Sequence, residues 1–178
     1  MGRNILLGLI AALALVQAAI AAAPKQIPFD IDTIIVPASS PLKFKSFDKE
    51  AITAHFAGRV VLSGTYRYGM NEEANDWSVT LILDPASRGF LPYWKNRPGD
   101  GTLWIDNEAD FIKAVVPRAA IDSLARKKSG SITGHVSIIA EDYSAAVVCD
   151  APDYSIRFVG LANTSVAVLN KEPAEFGC

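Results

Sequence analysis

From Ile52 to Tyr68 apolar and polar residues alternate without losing step. Even positions read Ile52, Ala54, Phe56, Gly58, Val60, Leu62, Gly64, Tyr66 and Tyr68, whereas odd positions are mostly polar, among them Thr53, His55, Arg59, Ser63, Thr65 and Arg67. A period of two puts successive side chains on opposite sides of a strand, so this stretch predicts a half-buried strand rather than a helix. Few strands run so far without bending. Gly58 and Gly64 both fall on the inward side, where glycine marks a sharp bend or a close backbone approach. The expectation is a long, coiled strand that serves two parts of one sheet.

Downstream, Trp77, Val79, Leu81 and Leu83 alternate with polar positions and stop at Pro85, giving a second strand. Gly89, Pro92, Pro98, Gly99 and Gly101 make most of 86–102 a loop. Leu103 to Asp106 is a short third strand. Asn107 can cap a helix whose apolar stripe is Phe111, Ile112, Val115 and Val116, and Pro117 can end it and open another that stops at Gly130. Strands resume over Ile132–Ile138, turn at Glu141-Asp142, and continue over 145–149 and Tyr154–Phe158, with a last strand over Val166–Leu169.

Three strands, a helical segment and further strands, led by a glycine-bent first strand, resemble the OB-fold. The resemblance covers about Ile52 to Gly160 and rests on topology. The expected class is mainly β (a β-rich α+β chain): a small antiparallel barrel, OB-fold-like, with its helical segment between the third and fourth strands. An open antiparallel sheet or sandwich with one helical segment is the alternative.

Compartment follows from the first residues. Arg3 precedes the apolar run Ile5 to Ala23, and Ala19-Ile20-Ala21 offers a small-residue cleavage site, the parts of a secretory signal peptide over 1–21. An N-terminal membrane anchor is the rival reading. Residues 22–43 read as an extended, proline-rich arm and 44–178 as a single β-rich domain. Without the leader, 16 basic side chains face 19 acidic ones. That balance argues against nucleic acid as a partner, since no cation excess replaces phosphate counterions. It also argues against an adhesive polybasic membrane surface, and no stable membrane insertion is expected after signal cleavage. In an oxidising compartment Cys149 and Cys178 are expected to pair, closing a loop of about 30 residues, worth on the order of 3 kcal/mol.

Catalytic chemistry is thinly supplied. His55 and His135 both fall on polar strand faces, which the barrel would bring side by side, but no third ligand with metal spacing accompanies them. No cofactor or metal is expected. Serine lacks a nucleophile-elbow motif, leaving only a spatial triad from Ser63 or Ser137 with a histidine. Carboxylates are plentiful (Asp84, Asp106, Asp110, Glu141, Asp142), with none singled out as an acid–base pair. The suggestive segment is Arg88 to Trp104. Arg88, Tyr93, Trp94, Arg97 and Trp104 crowd a loop rich in glycine and proline, where rings can stack on a ligand and arginines can hold an anion. Packing of that loop over the barrel is the competing explanation. The expectation is a non-catalytic binding or accessory module of the cell envelope, with a glycan, peptide or protein as ligand. An envelope hydrolase using His135 or a carboxylate pair, and a protein inhibitor or stress-related interaction protein, are the alternatives.

Overall fold

The computed structural model describes residues 22–71, 76–127, 130–164 and 167–171. The leader and Cys178 lie outside them. Among the described residues ten strands and three helices follow one another in the order β1 (Lys25–Pro28), β2 (Thr33–Val36), β3 (Lys43–Asp48), β4 (Thr53–Asn71), β5 (Asp76–Leu83), α1 (Pro85–Arg88), β6 (Tyr93–Trp94), β7 (Thr102–Ile105), α2 (Glu108–Val115), α3 (Arg118–Lys127), β8 (Ser131–Val148), β9 (Ala151–Thr164) and β10 (Val168–Asn170).

The chain is mainly β, and five strands make a barrel-like ring. β4 pairs with β5, β5 with β7, β7 with β9, β9 with β8, and β8 returns to β4. The ring is unevenly closed, because β7 meets β9 through two residue pairs only, Trp104↔Ser155 and Ile105↔Ile156. That seam is parallel, the one such pairing in an otherwise antiparallel ring. Directions cannot alternate all the way round an odd number of strands, so one neighbouring pair in a five-strand ring must run parallel. The helical segment α2–α3 lies between the third and fourth ring strands, β7 and β8, as the sequence order predicts.

β4 carries the architecture. Ala54, Phe56, Val60, Leu62 and Tyr66 on the even side are buried, and His55, Arg59 and Thr65 on the odd side are exposed. Its first half, Thr53–Ala57, pairs with the edge strand β3, and its second half, Gly64–Asn71, pairs with β5. The strand therefore serves two parts of the sheet, and it changes partner between the two glycines. Gly58 has φ +123°, and the ladder with β8 gains a residue between Phe56 and Arg59. Gly64 sits where β5 crosses, with a Cβ there falling 2.4 Å from the Ile82 carbonyl oxygen.

Helix α2 closes one end of the ring. Phe111 stands edge-on to Tyr66 (5.7 Å, 82°) and to Phe158 (5.3 Å, 90°), so a helix ring bridges two strands across the interior. Asn107 does not cap α2 with its side chain. Its amide instead accepts from the Phe158 N–H at 2.8 Å and donates to the Phe158 carbonyl at 2.9 Å, prolonging the short β7–β9 seam by one amide.

Two local expectations are corrected. Glu141-Asp142 is a bulge inside one continuous strand β8, with Asp142 at φ +53° and the β8–β9 register shifting between Glu141 and Ser144. Arg157 holds it, with Nε 3.1 Å from the Asp142 carboxylate and Nη2 on Glu141. The reversal comes at Cys149-Asp150, both with positive φ, the two-residue turn whose twist suits a hairpin. Cys149 on that turn is an exposed free thiol. Cys178, its expected partner, lies outside the described residues, and the expected staple lies there with it.

The arm is not free of the barrel. β1 and β2 form a hairpin, and β2 pairs with β6 from the loop (Ile34↔Trp94, Ile35↔Tyr93) to give a separate three-stranded sheet. Ile34 is wholly buried. Asp32 at the hairpin turn is buried too, accepting from the backbone N–H groups of Thr33 and Asn96 and from the Asn96 amide at 2.7–3.2 Å.

Candidate functional site

The loop between β5 and β7 builds the site. Asp84-Pro85 starts a single helical turn, α1, with proline in its first turn, where its missing N–H costs nothing. Arg88 ends that turn and folds back, its Nε–H donating to the Leu83 carbonyl at 3.1 Å. The guanidinium lies across Gly101, where any Cβ would fall 2.2 Å from Nε. Glycine is required at 101 both for its φ of +96° and for that contact.

Two tyrosines from the barrel hold the rest of the loop. The Tyr143 hydroxyl donates to the Pro92 carbonyl at 2.6 Å, and the Tyr154 hydroxyl donates to the Arg97 carbonyl at 2.8 Å while accepting from the Trp94 N–H at 3.2 Å. Their rings are parallel within 11° at 6.1 Å. Between loop and strands lies a cavity of about 310 Å³, bounded by Leu83, Leu91, Tyr93, Leu103, Tyr143 and Tyr154, with Arg88 and the glycines and prolines of the loop around them. Its walls are predominantly apolar.

Burial pushes the Tyr143 phenol well above its ordinary value and raises Tyr154 to about 12. Both stay protonated at neutral pH and keep donating to the loop carbonyls. Because the native state favours the neutral phenols, the stability they contribute is complete below the unfolded value near 10 and declines as pH rises above it, for Tyr154 through a native value of about 12. Thermal melts at increasing alkaline pH are therefore expected to fall in that window. A Tyr143→Phe, Tyr154→Phe double variant should show a shallower fall over it.

Of the five ring and arginine positions singled out in the sequence, the structure brings two to the cavity, Tyr93 and Arg88. Trp94 is wholly buried, edge-on to Phe29 at 5.7 Å and Phe47 at 6.4 Å, so its ring is core and not a ligand platform. Arg97 turns to the arm, with Nη1 3.4 Å from the buried Asp32 carboxylate. Trp104 is half-buried on β7 and does not bound the cavity. Tyr143 and Tyr154 were not anticipated. Tyr143 follows the acidic pair that resembles a turn, and Tyr154 reads as one more inward residue of an alternating strand.

The polar outer side of β4 and β8 holds a second group. His135 Nε2 is 2.9 Å from Asp84 Oδ2, Ser63 Oγ is 2.7 Å from Ser137 Oγ, and the Ser63 N–H donates to Ser87 Oγ. The two histidines do not meet. His55 is opposite Ser144 and His135 opposite Thr65, ten residues further along β4, roughly 33 Å of strand path. Among the described residues no three His, Cys, Asp or Glu side chains group as metal ligands, and no helix is long and apolar enough to cross a membrane.

No protein-family model, curated protein or solved structure matches this chain.

Proposed function

We propose that this chain is an exported, non-catalytic binding module whose ligand enters the pocket beneath the 89–101 loop. The cavity of about 310 Å³ carries the reading. Ligand sites are concave, mostly apolar and supplied with few polar groups, and this one has that composition. Its position supports an OB-fold-like use of the barrel. Leu83 comes from the second ring strand and Leu103 from the third, the two strands beside which such barrels bind. The apolar, alanine-rich leader ending in Ala19-Ile20-Ala21 supports export to the cell envelope or beyond.

An anilinonaphthalene dye tests the pocket. Gly89 lines it at φ −63°, and a Cβ there meets only the Ala86 carbonyl oxygen at 3.4 Å, so a large side chain is accommodated by the backbone. Gly89→Trp is expected to weaken dye binding by about 10-fold, equivalent to one large apolar contact displaced, with little change in melting temperature. Tyr93→Ala should weaken it in the same direction. Dye binding indifferent to both would contradict the pocket reading.

A hydrolase is the second reading, favoured by the 2.9 Å His135–Asp84 contact beside two serines. Its geometry is less suited to the task, because the ring-tip nitrogen faces a carboxylate rather than a hydroxyl. Nitrophenyl esters are expected to show no turnover that depends on His135. Turnover lost in His135→Ala would establish the hydrolase instead.

A further inference from the structure

Resting on the pocket reading, we infer that the ligand is an apolar acid: an alkyl or aryl group that fills the cavity and a carboxylate that meets Arg88. The interior has little to offer a sugar. The Tyr143 and Tyr154 hydroxyls are already committed to loop carbonyls, and Thr102 donates through its backbone and side chain to Asp100. A glycan placed there would leave many hydroxyls without partners, each costly to desolvate. An alkyl chain or phenyl ring needs no such partners.

Among the described residues Arg88 supplies the one cation on the cavity wall. Its guanidinium is seated, with Nε on the Leu83 carbonyl and the plane lying over Gly101, a position open only because residue 101 has no side chain. Among the described residues it makes no ion pair within 4 Å; the nearby Asp100 carboxylate feels its charge, which helps hold that carboxyl below its ordinary value, but accepts its hydrogen bond from the Thr102 N–H at 2.8 Å. A fork held at Nε presents its terminal nitrogens in a fixed plane, the geometry that suits a carboxylate. The same chemistry has two sources, a free alkyl or aryl acid and the C-terminus of a peptide ending in a large apolar residue.

Titration calorimetry on the full chain separates the outcomes. Octanoate is expected to bind at least about 10-fold more tightly than octanamide, the effect of one charge-assisted contact. In Arg88→Met that difference should vanish while octanamide binding persists, and Arg88→Lys should restore part of it. An acetylated dipeptide ending in leucine, compared with its C-terminal amide, tells which source is preferred. Preference for either acid supports the inference. Equal binding of octanoate and octanamide would overturn the carboxylate assignment and leave the pocket standing. Heat from neither compound, together with dye binding unmoved by Gly89→Trp, would overturn both. The acid–amide comparison on the unmodified chain needs no variant to fold.

Discussion

Trp94→Ala is expected to destabilise the protein by about 4 kcal/mol, the usual range for removing a fully buried indole. The side chain is completely enclosed, it faces Phe29 and Phe47, and its strand partner Ile34 is equally buried. Losing it removes one of the contacts that fasten the arm hairpin, alongside the β2–β6 pairing and the Asp32 bonds. Trp94→Phe should cost much less. The indole Nε1 has no hydrogen-bond partner among the described residues, so a phenyl ring keeps most of the packing and eliminates a buried, unpaired donor. Chemical denaturation of the two variants measures the difference. A small loss of stability in Trp94→Ala, joined to a loss of ligand binding, would return this ring to the role of a ligand platform.

Gly64→Val is expected to prevent the ring from closing, with a cost of about 3 kcal/mol or more from a clash that no side-chain rearrangement relieves. A Cβ at 64 falls 2.4 Å from the Ile82 carbonyl oxygen and 3.0 Å from Leu83 Cα, all backbone of the neighbouring strand. Separating β4 from β5 there breaks the register Gly64↔Leu83 from which the rest of that ladder runs. Gly160→Ala is the matched control, because a Cβ on that β9 glycine meets nothing within 4 Å. It should be neutral or slightly stabilising, through a less flexible unfolded chain. Denaturation midpoints that move equally in the two variants would contradict the close crossing at residue 64.

The barrel was legible because its main determinants are local. Alternation over Ile52–Tyr68 fixed which side of β4 is buried, and the inward glycines marked where it bends and where β5 comes close. Phe111, Ile112 and Val115 likewise announced the inner stripe of α2. What the sequence hid depends on partners far along the chain. Tyr93 and Trp94 are neighbours in one short strand, so they must point to opposite sides. Which of them faces the pocket is decided by the arm, whose Ile34 and Ile35 supply the pairing. Arg97 was drawn away from ligand duty by Asp32, 65 residues earlier. Glu141-Asp142 has the composition of a turn, yet pairing with β4 on one side and β9 on the other keeps it within a strand as a bulge. The pocket itself joins a loop to Tyr143 and Tyr154, and nothing in either segment alone reveals the other.

Xenon diffused into crystals of the protein probes the pocket without choosing a ligand, since dry apolar cavities take up this atom readily. The expected result is xenon density between Leu83, Leu103 and Tyr143, displaced in Gly89→Trp. Ordered waters filling that volume, or a loop collapsed onto the tyrosines with no room for the gas, would contradict the account.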